Sequence, residues 1–328
     1  MSGAAVIEVV ELRKRFRARG GAVEAVAGLS FCARRGEILG LLGPNGAGKT
    51  TTMRMLTTLL PIDAGSVLIA GVDVRAKPAE VRRRIGYVSQ LGGAERLATG
   101  RESLALQAAL YGLRGPRLKQ RVDLLLDELE LAPFADRRVG TYSGGQRRRL
   151  DVALGIVHEP EVVFLDEPST GLDPQSRARL WEHVRALARS GATIVVTTHY
   201  LEEADALCDR VLIIDQGRIV AAGSPAELKG AVSGARVQMR LASTPAEGAA
   251  LEARLGAIAG VHDAAFAEGQ LTLRLEAGAL ALPAVIAAAA EAGLEVSSLA
   301  FSEPSLDDVF MRATGRSLRE GERRGGGG

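Results

Sequence analysis

The sequence predicts an α/β fold with antiparallel β and helical subdomains, followed by a small α+β domain. Three observations carry that reading. Ile38-Leu39-Gly40-Leu41-Leu42 and Val162-Val163-Phe164-Leu165 are short, continuous apolar runs, the pattern of buried strands. After the first comes a glycine-rich turn and then an amphipathic pattern from Lys49 to Leu60, so strand, loop and helix succeed one another. From residue 231 onward the apolar patterns run βαββαβ, the order of a ferredoxin-like domain. A chain of 328 residues exceeds what one core usually organises, and 47% hydrophobic residues suffice for two.

In chain order, apolar residues alternate from Val6 to Leu12 and from Val26 to Cys32, as in antiparallel strands. The strand at 38–42 and its helix follow, then Ile85-Gly86-Tyr87-Val88-Ser89-Gln90. From Arg101 to Glu159 the spacing turns helical, with Leu104, Leu110, Val122, Leu125 and Leu129 recurring and Gly115-Pro116 and Pro133 interrupting. Strands at 162–166 and 193–198 come next, and Asp215-Gln216-Gly217 reads as a hairpin turn between strands 211–214 and 218–221. Ser224-Pro225 caps a last short helix, and the first domain is expected to end near Gly230. In the remainder, strands are expected at 236–241, 261–266, 271–275 and 295–301, with helices at 245–258, 280–292 and 306–314. The expected division is residues 1–230, residues 231–316, and a charged, then all-glycine tail, 317–328, of disordered composition.

With 41 basic against 39 acidic residues and a net charge of +2, there is no overall nucleic-acid footprint. Arg82-Arg83-Arg84 and Arg147-Arg148-Arg149 are local basic clusters that read as solvated helix faces. The two cysteines, Cys32 and Cys208, make no metal site of their own, and the four histidines show no ligand spacing, so reduced thiols are the plain reading. The longest apolar run, 279–290, is shorter than a membrane span and holds Pro283, and the N-terminus lacks a basic segment followed by an apolar one. The chain is therefore not expected to cross a membrane by itself.

The chemistry starts at Gly43-Pro44-Asn45-Gly46-Ala47-Gly48-Lys49-Thr50, a complete Gly-x-x-x-x-Gly-Lys-Thr phosphate loop, with Thr51 next to it on the helix. Its glycines free backbone N–H groups to cradle phosphates, Lys49 reaches the β and γ phosphates, and the Thr50 hydroxyl joins a Mg2+ shell. A chance glycine-rich stretch would lack the strand before it and the helix after it. The strand at 162–166 ends in the pair Asp166-Glu167, which on its own is only a polar strand end. Beside a phosphate loop it supplies a carboxylate for Mg2+ (Asp166) and one that orients or deprotonates the attacking water (Glu167).

Shorter motifs decide the kind of nucleotide-binding protein. Tyr142-Ser143-Gly144-Gly145-Gln146 stands upstream of the Asp-Glu strand, Ser169-Thr170-Gly171-Leu172-Asp173 downstream, and Thr197-Thr198-His199 closes the next strand. On these motifs the chain, from about Val6 to Lys229, resembles the ATP-binding subunits of ABC transporters. The segment Pro304-Ser305-Leu306-Asp307-Asp308-Val309-Phe310-Met311, with Thr314-Gly315-Arg316, is similar to the C-terminus of the daunorubicin/doxorubicin-resistance exporter type.

The resemblance implies ATP and Mg2+ as cofactors, hydrolysis, and a post on the cytoplasmic face of the membrane with a separate membrane-spanning permease. It implies that His199 bonds the γ phosphate and links Glu167 to Asp173 of a second copy, and that Gln90 touches Mg2+ and the water. It implies too that Phe16 stacks on adenine, although a core aromatic fits that position equally. The helix start at Ser143-Gly144-Gly145-Gln146 would clamp the ATP of a second copy in a homodimer, with Tyr142 departing from the family's usual leucine. Soluble ABC ATPases acting on ribosomes or DNA form the alternative, as does export of a lipid-linked polysaccharide. The single core and the lack of sustained heptads favour transport. The final helix, with Leu306, Val309, Phe310 and Met311, is expected to pair with a partner or to close its own domain's core.

Overall fold

The computed structural model describes residues 5–18, 21–232, 235–242, 245–267, 269–275, 282–302 and 304–315. The segment 317–328, expected to be disordered, lies outside the described residues. The chain opens with β1 (Ala5–Ala18), β2 (Gly21–Arg34), β3 (Ile38–Leu42), α1 (Lys49–Leu56), β4 (Ala64–Ile69), β5 (Val72–Asp73), α2 (Pro78–Arg84) and β6 (Ile85–Val88). A helical stretch follows, α3 (Gly100–Leu110), α4 (Gly115–Glu128) and α5 (Gly144–Ile156). Then come β7 (Val162–Asp166), α6 (Pro174–Arg189), β8 (Thr193–Thr198), α7 (Leu201–Leu207), β9 (Arg210–Asp215), β10 (Arg218–Gly223) and α8 (Pro225–Gly230). The last part holds β11 (Ala235–Ala242), α9 (Pro245–Leu255), β12 (Val261–Ala267), β13 (Gln270–Leu275), α10 (Leu282–Glu291), β14 (Glu295–Ser302) and α11 (Leu306–Thr314).

Two compact units divide between Pro225 and Ala226, at the start of α8 rather than at its end near Gly230. In the first, β10-β9-β3-β8-β7-β6 form a six-stranded sheet in which β3, β6, β7, β8 and β9 run parallel. Every residue of β3, β7 and β8 is buried, the signature of parallel strands covered on both faces. A second, antiparallel sheet, β2-β1-β4-β5, lies across α1. One apolar cluster joins Ile7, Leu12, Leu29 and Val67 of that sheet to Met53 and Leu56 of α1 and to Leu39, Phe164, Val195 and Leu212 of the parallel sheet. Burying this stripe is what holds the loop before α1 against both sheets. The helix stops at Leu56 rather than Leu60, because Thr58 turns left-handed (φ 65°) and the Leu59 and Leu60 amides bond back to the Arg54 carbonyl.

The Arg147-Arg148-Arg149 cluster is not a solvated face. Arg148 and Arg149 are buried, and Arg149 pairs with Glu130 at 2.7 Å.

In the second unit the sheet order is β12-β13-β11-β14, all antiparallel, with α9 and α10 against a core of Val237, Met239, Leu251, Leu273 and Val285. That order and the βαββαβ succession make the ferredoxin-like arrangement the sequence predicts. Ser305 caps α11 by accepting from the Asp308 amide at 3.3 Å, and Asp308 pairs with Arg274 of β13 at 2.9 Å. Leu306, Val309 and Phe310 are buried, so most of the apolar side of this helix is already covered within the fold.

Candidate nucleotide-binding and catalytic site

The phosphate loop turns tightly between the C-terminal end of β3 and α1. A Cβ on Gly43 would stand 2.1 Å from the Ile214 carbonyl, and one on Gly48, which sits at φ +103°, would stand 2.3 Å from the Ala25 carbonyl. Neither position admits another residue without moving backbone. The β9–β10 turn braces the loop from below: the Gly217 amide donates to the Ala47 carbonyl, and the Gly217 carbonyl accepts from the Ala27 amide, both at 2.9 Å. Lys49 is buried, with Nζ donating to the Gly43 (2.7 Å) and Pro44 (3.0 Å) carbonyls and lying 3.9 Å from Glu167 Oε1.

Next to it, the parallel register sets Asp166 of β7 opposite Thr197 of β8. Asp166 Oδ1 accepts from Thr197 Oγ1 (2.6 Å) and Thr50 Oγ1 (3.2 Å), and Oδ2 accepts from the Tyr87 hydroxyl (3.4 Å). Burial, reinforced by the Asp166 charge, pushes the Tyr87 hydroxyl up to about 12, so it remains a donor. Glu167 takes a left-handed conformation, φ 45°, that turns its side chain away from the strand, and its amide is tied to Thr197 Oγ1 at 3.0 Å. Glu167 Oε2 accepts from Gln90 Nε2 (3.1 Å) and Thr170 Oγ1 (3.3 Å), and Oε1 lies 3.3 Å from His199 Nδ1.

Lys49, Thr50, Gln90, Asp166, Glu167 and His199 therefore meet in one cluster at the ends of the parallel strands, the usual ligand edge of an open α/β sheet. Ser143, Gly145 and Gln146 line a separate cavity with Arg149, Gln175 and Arg179. Ser143 there forms a capping box with Gln146, its Oγ accepting from the Gln146 amide at 3.2 Å while its own amide donates to Gln146 Oε1 at 3.0 Å. Asp173 is exposed and caps α6, accepting from the Ser176 amide (2.9 Å) and hydroxyl (2.7 Å). Phe16 lies on the β1–β2 ribbon, 40% exposed, with Lys14 Nζ 5.7 Å from its ring centroid, which removes the core-aromatic alternative.

The family profile described as ABC transporter matches residues 26–170, and the C-terminal-domain profile of DrrA1-3-like ATP-binding proteins matches residues 223–314. The chain is 41% identical over 304 residues to the daunorubicin resistance ATP-binding protein DrrA2 of Streptomyces coeruleorubidus, covering 93% of this chain and 94% of that one. The chain belongs to the ABC transporter ATP-binding family. This ABC protein is also 38% identical over 316 residues to the Nod factor export ATP-binding protein I of Ralstonia nicotianae, covering 96% and 95% of the two chains. A solved structure of an ABC transporter ATP-binding subunit matches it with a TM-score of 0.61 at 29% identity, over 69% of this chain and 92% of that one. As an ABC ATPase it binds ATP and hydrolyses it. Sequence reasoning missed Tyr87, Thr170 and Thr197, whose hydroxyls hold the two carboxylates. Strand register was the signal for Thr197, since a hydroxyl beside a terminal carboxylate in a buried parallel pair has few other acceptors.

Proposed function

We propose that this ABC ATPase energises export of an amphipathic, drug-like molecule through a separate membrane-spanning subunit, from the cytoplasmic face. The observation that carries this reading is the 41% identity to a daunorubicin resistance protein, which runs through both units. The relatives favour export over action on ribosomes or DNA. Among the described residues no helix is long and apolar enough to cross a membrane, and in this reading the separate subunit supplies the path. A groove lined by Leu59, Tyr87, Ser89, Gly92 and Tyr111 flanks Gln90, and the exposed Leu91, Leu106 and Leu110 are further apolar surface for such a partner.

The residues fit a Mg-nucleotide. The Thr50 hydroxyl and the Asp166 carboxylate are 3.2 Å apart and are hard oxygen donors, enough for Mg2+, which keeps most of its shell as water and phosphate. When bound, the ion neutralises charge building on the β and γ phosphate oxygens. In the proposed roles the loop of residues 43–51, through backbone amides other than that of Pro44, which has no N–H, holds the phosphates together with Lys49, and Phe16 stacks on adenine. Glu167 orients and deprotonates the attacking water, with Gln90 and His199 fixing its two carboxylate oxygens. In a head-to-tail homodimer, the α5 start at Ser143–Gln146 and Asp173 would close over the ATP of the other copy, whose phosphates suit an N-terminal helix end.

The export reading is tested by co-expressing the chain with its membrane subunit and following efflux of a fluorescent amphipathic drug from cells. Efflux is expected with the native chain and not with Lys49→Ala. Equal accumulation in both strains, with the ATPase of the native chain intact, would overturn the export assignment while leaving the ATPase assignment standing.

A further inference from the structure

Helix α5, which begins at Ser143, carries two buried charges one turn apart that face the loop holding Gln90. Arg148 spreads its guanidinium over three backbone carbonyls: Nη1 donates to Ser89 (2.7 Å), Nε to Pro168 (2.8 Å) and Nη2 to Asp166 (3.0 Å). Asp151 accepts through Oδ1 from the amides of Gly93 (2.9 Å) and Ala94 (3.2 Å). Both side chains are less than a tenth exposed. Gln90 is thus bracketed, with its preceding carbonyl gripped by Arg148 and the amides three and four residues on gripped by Asp151. The same guanidinium grips the carbonyls on either side of Glu167. The loop also folds against Asp151 closely, since a Cβ on Gly92 would stand 2.6 Å from Asp151 Oδ2.

We infer that Arg148 and Asp151 are positioning residues: they make α5 a rigid link that holds Gln90 and Glu167 at a fixed spacing and moves the two together when the helix start at Ser143 shifts. A buried charge whose three nitrogens each bond a fixed backbone carbonyl moves with the backbone it holds. A helix that shifts when its N-terminus engages a second nucleotide therefore carries both the Gln90 loop and the Glu167 flank with it. Lysine cannot replace this arginine, because an ammonium is a point charge without the planar fork that spans three acceptors. The inference rests on the role proposed above for Gln90 and adds the device that regulates it.

A double-mutant cycle on the full-length chain tests it, with steady-state ATPase, ATP affinity and melting temperature measured together. Arg148→Lys and Asp151→Ala are each expected to lower kcat about 10- to 100-fold while KM for ATP stays within about twofold, the pattern of a misplaced group that does not hold the ground state. In a Gln90→Ala background Asp151→Ala is expected to lower kcat no further, and Arg148→Lys by clearly less than in the native background, because the Gln90 side chain is gone and only the Glu167 flank is left to hold. Asp151→Asn, which keeps an acceptor oxygen, is expected to recover most of the loss, and it carries the cycle with Asp151→Ala if Arg148→Lys does not fold. Losses of the same size in both backgrounds would make the two residues purely structural and overturn the inference alone. If Gln90→Ala itself hydrolysed ATP at the native rate, the role of Gln90 would fall, and this inference with it.

Discussion

Glu167 sits where a carboxylate is costly, since it is 8% exposed beside an apolar strand. Burial alone would raise its pKa above the usual 4.5, yet the His199 imidazole, the Lys49 charge and the Thr170 hydroxyl outweigh it and hold the pKa below that value. The group stays ionised across neutral and mildly acidic pH, as a base must, and its ion-pair stabilisation is present above the unfolded pKa and lost only as pH falls through the lower folded one. Lys49 is set against the Gly43 and Pro44 carbonyls, and its proposed role is to bind phosphate. Lys49→Ala removes a charged donor of about 1.5–3 kcal/mol, so ATP affinity is expected to fall roughly 10- to 100-fold. Titration of a fluorescent ATP analogue at native affinity would contradict that role. The glycine-lysine-threonine run and the Asp-Glu pair were legible in the sequence because phosphate and metal chemistry demand those residues at those spacings. Arg148 was not, because three consecutive arginines look solvated until tertiary packing turns one inward and surrounds it with carbonyls from two other segments.

At the level of elements, buried strands were the most legible feature. Ile38–Leu42 stands where a continuous apolar run puts it and Thr193–Thr198 where a β-branched run does, since a parallel strand covered on both faces shows no solvent-facing alternation. The edges of β1 and β2 were less so, and both run on into a long ribbon whose solvated outer residues carry no alternation. Helix ends followed their caps, as Ser143 and Ser305 illustrate. Contacts between elements stayed invisible. His158 stacks on Tyr111 at the end of α3, ring centroids 3.7 Å apart, and its Nε2 lies 2.9 Å from the Ile85 carbonyl at the start of β6. Its Nδ1 is buried without a hydrogen-bond partner among the described residues. Burial lowers its pKa below the ordinary 6.5, as it does for His183. The unfolded chain therefore takes up these protons first, and stability is expected to decline as pH falls from about 6.5 toward the folded pKa values. His158→Phe keeps a stacked ring, loses about 1 kcal/mol at pH 8 with the bond to Ile85, and should make that decline shallower. An unchanged slope of melting temperature against pH would show that His158 does not titrate in this way.

On the scale of the whole molecule, the cluster of Lys49, Thr50, Gln90, Asp166, Glu167 and His199 lies within the first unit, and the second unit has its own sheet, core and capped terminal helix. A chain ending at Gly230 is expected to keep ATP affinity within about twofold, because two independent cores rarely share their stability. Collapse of ATP binding on truncation would make the second unit part of the catalytic fold. The apolar spacing of α11 suits two roles, a pairing surface or a lid on its own domain. The Asp308–Arg274 pair, which ties α11 to β13 of the same unit, supports the second, and Leu299 and Phe301 of edge strand β14 are partly exposed apolar surface. In the proposed homodimer, by contrast, Ser143–Gln146 of one copy and the Lys49–Glu167 cluster of the other would be the two halves of one site. Glu167→Gln keeps the shape of the site but removes the base proposed above, which is expected to slow hydrolysis by about 10² to 10⁴. Sizing chromatography of that variant with Mg-ATP should show a dimer that persists while ATP remains bound and that reverts to monomer without nucleotide. A variant that stays monomeric in saturating Mg-ATP, or one that hydrolyses ATP at the native rate, would contradict the account.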